Sequence, residues 1–288
     1  MQLSPPLTRD LQAIIGEIFS VTAVSGGITN QNYKLETATD AFMLRLAGEK
    51  TELLGIDRSA EFTCSSLAFA AGVGAEPLVF FKPHQAMLTR FIKNAETLST
   101  ERAKLLLEPI VTALKKVHTM PALPKDFSPF ATVRQYHQIA LQHGVSFSQD
   151  TARILEQLTQ IENILLPDVI TTPCHNDLLP ANLLSTGQLW IVDWEYAGNG
   201  NCLFDLANLA ANLELNALQM QLLLELYFGE IKLERQLQLM RIVSDAREAF
   251  WGFLQSGVSS LDFDFRQYAK LHLERVRKGL ARVSLSSH

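Results

Sequence analysis

Between Pro173 and Gly198 the chain reads PCHNDLLPANLLSTGQLWIVDWEYAG. His175, Asp177 and Asn182 form an H-x-D-x-x-x-x-N pattern, and Asp193 closes an apolar run a short hairpin later. Phosphoryl transfer asks for this set. One carboxylate must accept or orient the proton of an attacking hydroxyl. An amide oxygen and a second carboxylate must hold Mg²⁺, a hard cation that takes oxygen ligands and bridges phosphates. The spacing lets one loop present the base at its start and a metal ligand at its end. The alternative is a polar turn in a core hairpin. It would leave Asp177, Asn182, Asp193 and Glu195 among apolar strands with no Lys or Arg in that stretch. Unpaired buried carboxylates are costly, and a bound cation removes that cost.

The elements that must position these groups can be read from hydrophobic period. Thr8 to Phe19 has Leu11, Ile14, Ile15 and Ile18 at helical spacing. VTAVSGGITNQNYKL, Val21 to Leu35, is β-rich on both sides of a Gly-Gly turn. Ala41 to Gly48 alternates Met43, Arg45 and Ala47 against Phe42, Leu44 and Leu46, the pattern of a strand. A helix is expected from about Asp57 to Ala71 with Gly72 as its C-cap. EPLVFF and AMLTRFI make two further strands around KPHQ. Beyond Ile92 the pattern is mostly helical. Ser99 or Thr100 can cap a helix that Pro109 should kink or restart. Leu203–Phe228, Ile242–Leu254 and the chain from Phe265 onward read as helices. Ala181–Leu184 and Leu189–Trp194 are the strand candidates of this half, a hairpin around STGQ. The expected organisation is α+β: a β-rich lobe over 1–92, a connection near Arg90–Asn94, and a helical lobe over 93–288 whose hairpin faces the first.

The 288 residues are 47% apolar and 19% charged, enough for a sizeable core and too apolar for wholesale disorder. The net charge of −5, with no Lys/Arg runs, argues against a nucleic-acid partner. Cys64, Cys174 and Cys202 show no metal-ligand spacing and read as buried thiols of a reducing compartment. Cys174 beside His175 suggests a thiol nucleophile, but adjacent residues of a strand point to opposite faces. No leader and no membrane span is expected, so a cytoplasmic protein is expected.

With these motifs in place, the chain resembles the kinase-like family of aminoglycoside phosphotransferases and choline/ethanolamine kinases. The resemblance implies a protein-kinase-like two-lobed fold, with ATP and Mg²⁺ as cofactors. It makes Asp177 the base, Asn182 and Asp193 the metal ligands, and His175 a structural member of the loop. Gly26, Gly27, Thr29 and Asn30 of SGGITNQNY would lie over the nucleotide phosphates. Arg45 takes the position where protein kinases carry Lys, with Glu61 as its helix partner. Arg90, Phe91 and Ile92 fall where such folds join their lobes and hold adenine by backbone. His118 matches a helix-end His, for which the simpler reading is a C-terminal cap. Asp205 is expected to hold the catalytic loop, or to cap the helix that follows it.

The segments DWEYAGNGNCLFDLANLAANLE and REAFWGFLQSGVSSLDFDFRQYA resemble the choline/ethanolamine kinase branch, so the resemblance runs from about Gly26 to Tyr268. A quaternary ammonium is held by aromatic faces and nearby carboxylates. Tyr196, Trp251 and Phe263 are therefore candidate walls and Glu195 a candidate counter-charge. Larger choline kinases carry a second Trp where this chain has Leu254, which weakens the cage. The implied partner is a small amino alcohol, choline first and ethanolamine next, for a monomer or homodimer. The alternatives are a thiamine kinase, an aminoglycoside phosphotransferase (Asp262 and Asp264 supply carboxylates), a catalytically inactive pseudokinase serving as a binding module, and a thiol hydrolase.

Overall fold

The computed structural model describes residues 3–24, 30–166, 171–283 and 285. Helix α1, Pro5–Ile15, opens on prolines in its first turn, where a missing N–H costs nothing. It stops short of the expected Phe19 because Gly16 takes a left-handed φ of 78°. Strands β1 (Ser20–Val24), β2 (Asn30–Glu36) and β3 (Ala41–Ala47) follow. Helix α2, Arg58–Ala70, comes next, then β4 (Pro77–Phe81) and β5 (Ala86–Arg90). The five strands form one antiparallel sheet in the order β1-β2-β3-β5-β4. In β3 the period of two puts Phe42 and Leu44 into an apolar cluster with Leu7, Leu11, Tyr33, Leu35 and Leu88. Met43 and Arg45 face the other way.

Helix α2 begins at Asp57, whose carboxylate accepts from the amides of Ser59 (2.8 Å) and Ala60 (3.1 Å). Its Cys64 and Ala68, with Leu54, Ile56 and Val73, belong to the large core of the helical half rather than to the cluster under the sheet. The apolar cores therefore divide differently from the sequence, and α2 bridges the two halves.

The second half begins with the short strand β6, Glu96–Thr97, then α3 (Thr100–Leu105), capped by Ser99, and α4 (Leu107–Val117), restarted around Pro109. Helices α5 (Pro129–Gln142) and α6 (Gln149–Leu165) precede strand β7, Thr171–Cys174. The hairpin is β8 (Leu183–Ser185) with β9 (Leu189–Ile191), and β6 adds to its β8 edge. Strand β10, Gly198–Asn201, pairs antiparallel with β7, a pairing the sequence did not suggest.

Among the described residues four helices follow: α7 (Cys202–Asn212), α8 (Ala217–Phe228), α9 (Glu234–Val258) and α10 (Phe265–Leu280). The stretch read as one helix, Leu203–Phe228, is two. Glu214 adopts a φ of 52°, and Asn216 with Gln219 forms a capping box that starts α8. Helix α9 is the spine of this half, packed by α5, α7 and α10. Gly252 allows α10 to cross closely, since a Cβ there would lie 3.0 Å from the Tyr268 ring and 3.1 Å from Ala269. No helix among the described residues is long and apolar enough to cross a membrane.

Candidate active site

The loop between β7 and β8 is held from below by one face of α7. Asp205, Asn208 and Asn212 stand at helical spacing. Asp205 accepts from the amides of His175 (2.8 Å) and Asn176 (2.7 Å), and Asn208 Oδ1 accepts from Leu178 N (2.6 Å). Asn212 Nδ2 donates to Leu178 O at 3.2 Å. Asn176 takes a φ of 66°, a left-handed turn that Asn tolerates, and this reverses the chain just before Asp177. Asp205 thus holds the loop, while the α7 cap is Asn201, which accepts from Leu203 N. His118 is more than a helix cap. Its Nε2 bonds Asp205 (3.0 Å) and its Nδ1 bonds the Tyr227 hydroxyl (2.7 Å).

His175 is wholly buried, and burial lowers its pKa, so the ring is neutral. The Asp177 amide donates to its Nδ1 at 3.3 Å, which leaves Nε2–H for Val192 O at 3.0 Å. His175 therefore ties the start of the loop to the end of β9. Asn182 adds a second tie: its Nδ2 donates to Asp177 O (2.9 Å), and its carbonyl accepts from Val192 N (3.0 Å). With Nδ2 committed, Oδ1 is its remaining donor atom toward a cation. Asp193 adopts a φ of 71°, which turns the chain out of β9 at that residue. Asn182 and Asp193 line the same cleft, whose volume is about 360 Å³.

The opposite wall of the cleft is the sheet. Met43, Arg45, Met87 and Thr89 line it, with Arg90, Phe91 and Ile92 at the junction of the two halves. Arg90 bonds Glu76 (2.7 Å) and Asp40 (2.9 Å), and the Phe91 amide donates to Ala41 O at 3.0 Å. Arg45 Nη1 pairs with Glu61 at 2.7 Å and with Asp193 Oδ1 at 2.5 Å. Burial opposes its charge, but Asp193 and Glu61 outweigh that and hold its pKa above the ordinary value. Arg58, which sequence reading missed, pairs with Glu61 (2.6 Å) and Glu195 (2.8 Å) and donates to Asn30 Oδ1 (2.8 Å). Asn30 Nδ2 in turn donates to Glu195 at 2.8 Å. Glu195 is therefore buried in a network that joins the halves, where Arg58 and Asn30 already answer its charge, and Asn30 belongs to the same network. Gly26, Gly27 and Thr29 lie outside the described residues.

Burial pushes the Asp193 carboxyl up to about 7, with Glu195, Glu61 and Asp177 adding to it against the pull of Arg45. Among the described residues five carboxylates (Asp177, Asp193, Glu61, Glu195, Glu248) meet three guanidiniums, those of Arg45, Arg58 and Arg247. Lys125 adds one cation at the edge, reaching the backbone oxygens of Gly55 and Glu195. The one negative charge left over belongs to Asp177 and Glu248, which share Arg247, while the Asp193 carboxylate and Asn182 Oδ1 present oxygen donors to the cleft. That donor set fits a hard divalent cation held by Asn182 and Asp193.

On the far side of Asp177 lies a second buried group. Arg247 of α9 donates to Asp177 Oδ1 at 2.9 Å, pairs with Glu248, and lies 4.4 Å from the Tyr196 ring centroid. Glu248 accepts from the Tyr268 hydroxyl at 2.7 Å. Burial raises the Asp177 carboxyl to about 6, with Arg247 pulling it down and Glu248 pushing it up. Trp251 is 8% exposed and meets Phe265 (5.7 Å) and Tyr268 (5.6 Å) edge-on. Phe263 is 42% exposed beside the same two rings. Tyr196 is buried with its ring under Arg247, so as a wall it already carries a cation. Leu254 is fully buried in the core. Asp264 caps α10, accepting from Gln267 N at 2.9 Å. Arg247 and Glu248 were not legible as site residues; REAFWG suggested only its Trp.

A five-stranded sheet and a helical half, with this loop and hairpin at the cleft between them, define a two-lobed phosphotransferase fold. The family model described as choline/ethanolamine kinase matches residues 21–217. The chain is 34% identical over 213 residues to Protein LicA of Haemophilus influenzae, 71% of this chain and 62% of that protein's length. It is 27% identical to ethanolamine kinase 2 of Mus musculus, over 90% of this chain and 75% of that one. The crystal structure of choline kinase LicA from Streptococcus pneumoniae superposes with a TM-score of 0.85 at 23% identity, covering 96% of this chain and 99% of that one. The chain belongs to the choline/ethanolamine kinase family, and its reaction class is ATP-dependent phosphoryl transfer.

Proposed function

We propose that this protein transfers the γ-phosphate of ATP to the hydroxyl of a small amino alcohol, choline or ethanolamine, with Asp177 as base and with Mg²⁺ held by Asn182 and Asp193. One observation carries the reading: a single loop and hairpin bring Asn182 and Asp193 to a cleft whose other wall presents Arg45, and hold Asp177 beside Asn182, whose Nδ2 lies 3.4 Å from Asp177 Oδ2. Asp177, ionised, accepts the hydroxyl proton as the acceptor oxygen attacks. Arg45 lies beside Asp193, within reach of phosphate oxygens, and Glu61 fixes its direction. Bound Mg²⁺ supplies charge neutralisation on the β- and γ-phosphates. Adenine would sit at the junction of the halves. The Phe91 amide is committed to Ala41 there, so the base would bond neighbouring backbone groups. Support for an amino alcohol comes from the family and from the carboxylates and rings that converge beyond Asp177. The test is ADP release with ATP and Mg²⁺ over choline, ethanolamine, thiamine and an aminoglycoside. Turnover with choline or ethanolamine is expected. Turnover confined to thiamine or the aminoglycoside would refute the acceptor, and none with any of the four would favour a pseudokinase.

A further inference from the structure

A small ammonium ion beside the base could use three surfaces: the Tyr196 ring face, the Asp177 carboxylate and the Glu248 carboxylate. One group of the protein already holds all three. The Arg247 guanidinium lies 4.4 Å from the Tyr196 centroid, donates to Asp177 Oδ1 at 2.9 Å and pairs with Glu248. Its side chain is 2% exposed, so removing it from this position would open the core. Its Nε has no hydrogen-bond partner among the described residues, so its bonds run through the end of the guanidinium that faces Asp177 and Glu248. The nearby rings offer little in exchange. Trp251 and Tyr268 pack edge-to-face against each other, which occupies a ring face between them, and Phe263 alone of this group is substantially exposed.

The two acceptor classes make different demands. A quaternary ammonium donates no hydrogen bonds and depends on aromatic faces. A primary ammonium is smaller and donates charge-assisted bonds to carboxylate oxygens. Two carboxylates against one guanidinium leave one negative charge here, and it sits on oxygens: Asp177 Oδ2 and Glu248 Oε2, the latter bonded to the Tyr268 hydroxyl. We infer that Arg247 determines acceptor specificity, occupying the aromatic cation position so that the site selects a primary ammonium over a quaternary one. This rests on the amino-alcohol reading above and narrows it toward ethanolamine.

The experiment measures kcat/KM of the full chain, with ATP and Mg²⁺, across ethanolamine, N-methylethanolamine, N,N-dimethylethanolamine and choline. The wild type should lose efficiency with each methyl, choline ending about tenfold below ethanolamine, a difference of about 1.4 kcal/mol. In Arg247→Gln that ratio should collapse toward unity, because the Tyr196 face is released; Arg247→Lys, which keeps a cation, should retain the preference. A ratio within one variant cancels general damage to folding or to the base. Choline used as well as or better than ethanolamine by the wild type overturns the inference, and so does an unchanged ratio in Arg247→Gln. If Arg247→Gln does not fold, the wild-type series and Arg247→Lys decide. Absence of turnover with all four acceptors instead overturns the amino-alcohol function, and the inference with it.

Discussion

The two sides of the Asp177–Asp193 pair are built on different principles. On the nucleotide side, Arg45, Glu61, Arg58, Glu195 and Asn30 share their charges in a chain that runs from the sheet through α2 to the segment after β9. That chain sits behind an open cleft and leaves Asp193 partly exposed to it. Beyond Asp177, where we place the acceptor, Arg247, Glu248 and Tyr196 are packed together with almost no exposure, and the half-buried Tyr268 bonds Glu248. A large polyanion with its own cation needs an open wall that offers oxygen donors to the metal. A small alcohol needs a pocket that excludes water and misfit cations, and resident charges provide that.

The largest way to break this contrast is Arg58→Ala. Removing one partner of a buried ion pair costs about 3–5 kcal/mol, here by taking the guanidinium away from Glu61 and Glu195. Thermal unfolding should drop by roughly 10 °C, taking about 2–4 °C per kcal/mol for a chain this long. A Tm within a degree or two of wild type would mean the network does not join the halves. Arg45→Met tests the open wall. A charge-assisted contact worth about 1.5–3 kcal/mol should be lost to phosphate, raising the KM for ATP by one to two orders of magnitude while the acceptor KM changes little. Equal changes in both constants would erase the distinction between the sides.

The smallest effect sharpens the contrast through pH. Asp177 must be ionised to accept a proton, and burial holds its pKa near about 6. The acceptor kcat/KM should therefore fall as pH drops through about 6. Arg247 is the largest influence lowering that pKa. Arg247→Gln removes the cation and should move the acid limb to higher pH. A limb that stays or moves down would show that Arg247 does not act on the base.

How much of this was legible follows the same division. The H-x-D-x-x-x-x-N spacing, the alternation of β3 and the Asp57 cap are local patterns, and local patterns survive in a sequence. Arg45 and Glu61 could be paired because the resemblance places a basic strand residue against an acid of the following helix, and the structure joins them at 2.7 Å. Arg247 and Glu248 were hidden for the opposite reason. Adjacent opposite charges on a helix read as a solvated face, and only the crossing of α10 at Gly252 and the loop at Asp177 bury them. The family motif pointed Glu195 toward the acceptor; its contacts with Arg58 and Asn30 were not legible because those partners come from the other half of the chain. Strands β7 and β10 were missed because Pro173, Gly198 and Gly200 weaken any strand signal. Gly200 is there for close packing, since a Cβ would lie 2.9 Å from Phe127 O. The Asp205–Asn208–Asn212 spacing was readable as one helix face, but nothing local said that the catalytic loop rests on it.

The central claim is that Asn182 and Asp193 hold one divalent ion at the end of the nucleotide cleft while Asp177 serves the acceptor. Its most direct test is Mn²⁺ binding, followed by electron paramagnetic resonance with a non-hydrolysable ATP analogue, in wild type, Asp193→Asn and Asp177→Asn. Tight Mn²⁺ binding in the wild type, its loss in Asp193→Asn and its retention in Asp177→Asn are the predicted results. Binding that survives in Asp193→Asn, or that disappears equally in both variants, would contradict the account.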